Sequence, residues 1–197
     1  MKTNLILLLS LICNSLVAQI SANKQQTISG FIAAKEFSKD IALFNAKKFA
    51  VDEIVGPSKD IIRFEIYAVV ASNSGELTSL VYRCKEKNKE GLILAFYNDS
   101  WNYFGVIYSG YGFKDLPKEK ADELLLKIQS AIDNNHDYMK DDQDNNNICF
   151  EYDDMIFIIY TSANSNKIRV FWNGFHAEWN GYELIRTQKR LNKKLKK

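Results

Sequence analysis

Two stretches of the sequence combine side chains that could bind or transform a ligand. The first spans residues 171–183 and alternates aromatic rings with hydrogen-bonding groups. Rings supply contact area and polar tips supply direction, which is what a sugar- or peptide-binding groove requires. With a second aromatic run near Trp101, the candidate ligand-binding residues are Trp101, Trp172, Asn173, His176, Glu178, Trp179 and Tyr182. The alternative is that Trp172 and Trp179 only anchor the last helix to a sheet.

His176 and Glu178 also raise the possibility of acid–base catalysis. The chain would then be a carboxylate- and histidine-dependent hydrolase of the cell envelope, and Glu178 or Glu183 would have to meet His176 and another acid in one cleft. The sequence has no Gly-Lys-Ser/Thr phosphate loop, no Gly-x-Ser-x-Gly elbow, no His-Glu-x-x-His pair and no Cys-x-x-Cys pair. We therefore assign no catalytic residues and favour binding over catalysis.

The second stretch is an acidic, asparagine-rich segment that can be compared with a calcium-binding EF-hand loop. Counted from Asp142, oxygen-bearing side chains occupy the first, third, fifth and twelfth positions, namely Asp142, Asp144, Asn146 and Asp153. Asn147 replaces the glycine expected at the sixth position, and a strand pattern follows instead of a helix. The segment is either a calcium site or a solvated loop, because exposed turns favour Asp and Asn. Calcium is the one cofactor that the sequence suggests.

The first 18 residues have the pattern of a secretory signal peptide. Lys2 precedes an apolar block at residues 5–11, and Ala18 lies just before the polar Gln19. The block is shorter than a membrane-spanning helix needs, although an uncleaved anchor is the alternative. We expect a signal peptide at 1–18, a flexible segment at 19–30 and a single domain at 31–197, secreted or periplasmic.

Cysteine and charge add two further expectations. Without Cys13, two cysteines remain, Cys84 and Cys149, which in an oxidising compartment form either a disulfide or two separate thiols. The formal net charge is only +2, yet the sequence from Arg186 onward carries seven cations and no acid. This basic C-terminal tail is either a solvated helix end or a contact for anionic surfaces. Export makes nucleic acid an unexpected partner and an envelope protein or glycan an expected one.

Hydrophobic periodicity predicts an α+β fold with a mainly antiparallel sheet. Residues 60–113 alternate in four runs joined by short polar turns, which predicts a meander of four strands because short connections cannot join parallel neighbours. Three more strands are expected between residues 148 and 172. Two amphipathic helices, after Asp115 and from about residue 179 or 182, are expected on one face of the sheet. A further helix is expected at 31–45 and an edge strand at 49–55.

Overall fold

The computed structural model describes residues 31–33, 36–101 and 107–195. For Ser100, Trp101 and Tyr108 it describes the backbone only. The expected signal peptide and the expected flexible segment at 19–30 lie outside the described residues. Within the described chain, no helix is both long enough and apolar enough to cross a bilayer.

The described elements alternate between groups of strands and helices. In chain order they are β1 (Ile32–Ala33), α1 (Lys39–Phe49), β2 (Glu65–Ala71), β3 (Leu77–Cys84), β4 (Lys89–Trp101), β5 (Ile107–Pro117), α2 (Lys118–Asn134), α3 (His136–Asp141), β6 (Asn147–Tyr152), β7 (Met155–Ser162), β8 (Ser165–Trp172), β9 (Phe175–Asn180) and α4 (Gly181–Leu195). A π-helical segment, Ala50–Val55, continues α1, and a 3₁₀ turn, Lys85–Lys87, joins β3 to β4. The α+β class is therefore confirmed.

The first sheet has five strands in the order β1-β5-β4-β3-β2, and every neighbouring pair is antiparallel. It contains the predicted four-strand meander, β2 to β5, but the β4–β5 hairpin is longer than expected. Asn98 pairs with Gly110, so residues 98–100 and 110–112, whose Asn, Asp, Ser and Gly residues favour turns, lie inside strands. Gly112 is needed there because a Cβ would lie 2.5 Å from the Phe175 ring.

The second sheet has four strands in the order β6-β7-β8-β9, again antiparallel. The sequence analysis expected three strands and missed β9. The turn between β8 and β9 is Asn173-Gly174, with φ of 49° and 82°. Positive φ at both central residues is the tight hairpin geometry that the Asn-Gly pair favours. The expected strand-to-helix junction is thus a hairpin, followed by a helix that begins at Gly181.

Two apolar cores hold the layers together. One core joins the five-stranded sheet to α2, α4 and the second sheet, with Phe96, Leu124 and Trp179 among its fully buried residues. The other core lies on the opposite face of the five-stranded sheet and packs α1 against Tyr111 and Phe113. The two amphipathic helices lie on one face, as predicted. The expected single sheet is instead two sheets, and the five-stranded one is covered on both faces.

The N-terminal expectations need two corrections. The helix begins at Lys39 and not at residue 31, because the Ser38 hydroxyl accepts hydrogen bonds from the N–H groups of Asp40 and Ile41 and caps it. The edge strand expected at 49–55 is helical, since Ala50 and Ile54 turn to the same core as α1.

Candidate functional site

The four-stranded sheet turns one of its faces away from the core. Along β6 to β9, alternate side chains point to this side, and no element within residues 36–101 or 107–195 buries it. The side chains form three rows across the strands: Glu151, Ile156, Phe171 and His176; Cys149, Ile158, Arg169 and Glu178; Asn147, Tyr160, Lys167 and Asn180. We refer to this surface as the open face.

The open face carries an apolar patch along β7 that extends to Phe171 on β8. Ile156 and Phe171 are direct cross-strand partners and are 47% and 38% exposed. Ile158 and Tyr160, on the same side of β7, are half-buried. Apolar and aromatic residues surrounded by a polar rim form the usual composition of a protein-binding surface.

The charged groups beside the apolar patch largely neutralise one another. The Glu178 carboxylate receives a hydrogen bond from Lys167 Nζ at 2.9 Å, and its other oxygen lies 3.3 Å from Arg169 Nη2. The bond to Glu178 raises the pKa of Lys167 above its usual value. Glu178 is thus fully occupied by two cations, which favours a role in shaping the surface over a role as a catalytic base.

His176 is the one imidazole on the open face, and its ring faces Glu76 from the β2–β3 turn. Its Nδ1 is buried without a hydrogen-bond partner and lies 3.9 Å from Glu76 Oε1, beyond hydrogen-bond distance. The other oxygen of Glu76 accepts the N–H of Glu178 at 3.1 Å. The structure therefore brings His176 together with two acids, but on an open sheet surface where both acids already have partners.

Side chains of other segments form hydrogen bonds with the backbone groups on the outer edge of β9. In an edge strand, every second residue presents an unpaired N–H and C=O. The bonds that satisfy these groups are Asn98 Nδ2 to His176 O (3.3 Å), Glu178 N to Glu76 Oε2 (3.1 Å), Ser74 Oγ to Glu178 O (3.4 Å) and Asn180 N to Glu183 Oε2 (3.0 Å). They fix the open face relative to the five-stranded sheet.

The predicted ligand-binding residues fall in different places. Trp172 and Trp179 are 7% and 0% exposed, so both rings belong to the core and do not line a groove. Of the remaining candidates, His176 and Glu178 lie on the open face, Asn173 in the exposed β8–β9 turn and Tyr182 on the exposed side of α4. The side chain of Trp101 lies outside the described residues.

The structure does not bring together the four predicted calcium ligands, Asp142, Asp144, Asn146 and Asp153. Asp153 lies beyond the far end of β6 from Asp142, and the 6 residues of that strand span about 20 Å. The Asp153 carboxylate accepts hydrogen bonds from Lys114 at 2.7 Å and Lys120 at 3.1 Å, which lower its pKa. In the described part of the chain, no group of three or more His, Cys, Asp or Glu residues is placed to hold a metal ion. The position of Asp153 favours the solvated-loop alternative over a calcium loop that uses all four residues.

Of the two alternatives for Cys84 and Cys149, the structure shows two separate thiols and no disulfide. Cys84 is buried at the end of β3, whereas Cys149 is exposed in the middle of β6, and both are free thiols. The two side chains belong to different sheets, and one faces the interior while the other faces solvent.

The sequence analysis missed Glu76, Ile156 and Phe171 as members of this site. For Ile156 and Phe171 a signal was present, because recognising the Asn173-Gly174 turn places β9 beside β8 and defines the face that they share. For Glu76 there was none. It reaches β9 only because the β2–β3 turn packs against the second sheet.

Comparisons of the chain with models of protein families, with curated proteins and with solved structures found no match. The geometry of the open face is therefore the basis for a functional conclusion.

Proposed function

We propose that this chain is an exported binding domain that acts in the periplasm or at the cell surface and holds a protein partner on the open face. The observation that carries the proposal is the pair Ile156 and Phe171, exposed side by side on the two inner strands of a sheet face that no described element buries. Export is supported by the leader pattern of residues 1–18.

A protein partner fits this surface better than a glycan. A glycan site needs a concave groove with ring faces on which a sugar can stack. The rings of Trp172 and Trp179, which the sequence offered for that purpose, are buried. A sheet surface with an apolar patch and paired charges beside it instead suits a second protein surface.

The size of the open face limits the interface that it can form. Four strands at about 4.8 Å spacing and 6 residues at about 3.3 Å rise give a projected area of roughly 400 Å². Standard stable interfaces bury about 800 Å² of accessible surface per partner; a projected area understates accessible surface, so the open face by itself would form an interface at or below the standard size.

Binding is also better supported than the alternative, a carboxylate- and histidine-dependent hydrolase of the cell envelope. Glu178 is held by Lys167 and Arg169, and Glu76 accepts the N–H of Glu178. A catalytic base must be available to the proton that it removes. Glu178 is not available in this way, and the remaining oxygen of Glu76, Oε1, lies 3.9 Å from His176 Nδ1, beyond hydrogen-bond distance.

Site-specific photocrosslinking in the producing cells tests the proposal. With Phe171→benzoylphenylalanine, irradiation should give one discrete adduct with the protein partner. Adding Ile156→Glu should abolish this adduct, because the substitution places a charge in the apolar patch. Tyr138→benzoylphenylalanine is the matched control, since Tyr138 is 52% exposed on α3. A missing adduct at position 171, or the same adduct at 138, would refute the proposed surface. The mass of the purified protein separately tests cleavage before Gln19.

A further inference from the structure

The last helix, α4, has a second exposed surface that is separate from the open face. Its buried side carries Leu184, Thr187, Leu191 and Leu195. The side away from the core carries residues three or four positions apart, which form one stripe along a helix. These residues are Tyr182, Ile185, Arg186, Lys189 and Lys193, and we refer to them as the basic stripe.

The positive charge of α4 is not neutralised within the described structure. Cations elsewhere, such as Lys114, Lys118 and Lys167, form salt bridges with carboxylates. The five cations of α4 form no salt bridge with a carboxylate of the described residues. These cations are Arg186, Lys189, Arg190, Lys193 and Lys194. The whole chain has a formal net charge of only +2, so the part before α4 is net negative. Positive charge is therefore concentrated at this helix.

Two of these cations are used by the fold and three face solvent. The Arg190 guanidinium donates to the carbonyl of Val69, and Lys194 Nζ lies 3.6 Å from the ring centre of Tyr67. Lys189 and Lys193 make no such contact with described residues, and Arg186 lies 5.2 Å from the ring centre of Tyr182, itself exposed.

Apolar side chains lie among these free cations. Tyr182 and Ile185 are 67% and 54% exposed and border a shallow depression of about 500 Å³ with Arg186, Lys189, Arg190 and Lys193. The only acid of α4, Glu183, is buried and points away from this surface. Exposed apolar side chains next to Lys and Arg supply the two contributions that bind a protein to a bilayer, burial of apolar area in the interface and attraction to anionic headgroups.

We propose that the basic stripe docks on a bilayer that contains anionic phospholipid. Headgroup phosphates would meet Arg186, Lys189 and Lys193, while Tyr182 and Ile185 enter the headgroup layer. From Tyr182 to Lys193 the basic stripe is about 17 Å long at about 1.5 Å rise per residue, and all five of its side chains are at least partly exposed.

Vesicle co-sedimentation tests this proposal. The protein is purified in the form that its host produces, so that wild type and variants have the same N-terminus. The vesicles contain either phosphatidylcholine alone or phosphatidylcholine with 30% phosphatidylglycerol. A cation near an anionic surface contributes about a factor of five to binding, so Lys189→Glu with Lys193→Glu should weaken binding to the anionic vesicles at least 30-fold. Ile185→Ser should weaken it several-fold, and 500 mM salt should abolish it.

The matched control is Lys47→Glu with Lys59→Glu, which changes the net charge equally at exposed positions outside α4. This control should bind within twofold of wild type, and all variants should keep the wild-type circular dichroism spectrum. Equal binding to both vesicle types, equal weakening by the control pair, or tighter binding of polyglutamate than of anionic vesicles would each overturn the proposal. The last result would assign the stripe to an acidic protein partner.

Discussion

Glu183 joins the two sheets at one carboxylate, and removing it should measurably destabilise the fold. Glu183 is 4% exposed, and one oxygen accepts the N–H of Asn73 at 2.8 Å while the other accepts the N–H of Asn180 at 3.0 Å. In return, Asn180 Oδ1 accepts the N–H of Glu183 at 2.9 Å. This reciprocal pair is a capping box at the start of α4, and the bond to Asn73 ties it to the β2–β3 turn.

The expected cost of Glu183→Ala follows from these two acceptor bonds. Losing the hydrogen bond from the Asn180 N–H costs about 1 kcal/mol, whereas the Asn180 side chain still caps the helix because its partner is a backbone N–H. Losing a hydrogen bond between a charged acceptor and a partly buried N–H costs about 1.5–3 kcal/mol. The free energy of unfolding should therefore fall by about 2–4 kcal/mol, which corresponds to a Tm decrease of roughly 5–15 °C for a domain of this size. Glu183→Gln keeps one acceptor and should lose about half as much.

Urea unfolding followed by circular dichroism measures this change, with Glu53→Ala as the control because Glu53 is exposed on the π-helical segment. The control should stay within about 0.5 kcal/mol of wild type. If Glu183→Ala costs no more than the control at an unchanged m value, the inference that this carboxylate joins the sheets is wrong.

Two other predictions concern the five-stranded sheet. Gly91→Ala should cost about 1–3 kcal/mol or more in thermal unfolding, because its Cβ would lie 2.3 Å from the carbonyl oxygen of Leu116. Gly181→Ala, whose Cβ would have no neighbour closer than 3.6 Å, should be nearly neutral, and equal effects of the two variants would refute the steric argument. Burial raises the pKa of Asp115 above its unfolded value of about 3.9, because the charged carboxylate is disfavoured in the fold. The cost of the charged carboxylate to the free energy of unfolding is absent below the unfolded pKa and grows as the pH rises through the folded pKa. The stability of Asp115→Asn relative to wild type should therefore increase between pH 4 and 7, and a pH-independent difference in urea unfolding would contradict this.

Local sequence patterns were sufficient to predict the elements whose hydrophobic periodicity fits only one type of secondary structure. The helix α2 follows the predicted spacing, and Ala121, Leu124 and Ile128 are all buried on one side. Its start differs, because Asp115, expected as the N-cap, lies inside β5 and the helix begins after Pro117. Strand ends were harder to predict, since glycines that break isolated strands are tolerated where another layer packs closely, as at Gly112.

The calcium and disulfide alternatives both depended on separation along the chain, which does not determine separation in space. Asp153 follows Asp142 by eleven positions, as in a calcium loop, but the segment between them includes the extended β6, which carries the two apart. Cys84 and Cys149 both lie on strands, yet those strands belong to different sheets. Conversely, Glu76 and His176 are far apart in sequence and 3.9 Å apart in the structure.

The sequence by itself determined the α+β class, the antiparallel pairing of β2 to β5 and the amphipathic character of the last two long helices. These features depend on short connections and on which residues alternate. Only the tertiary structure decided that the strands divide into two sheets and that one face of the second stays uncovered. The physical reason is that alternation marks which side of a strand is apolar enough to bury, whereas the partner layer depends on how all elements pack together.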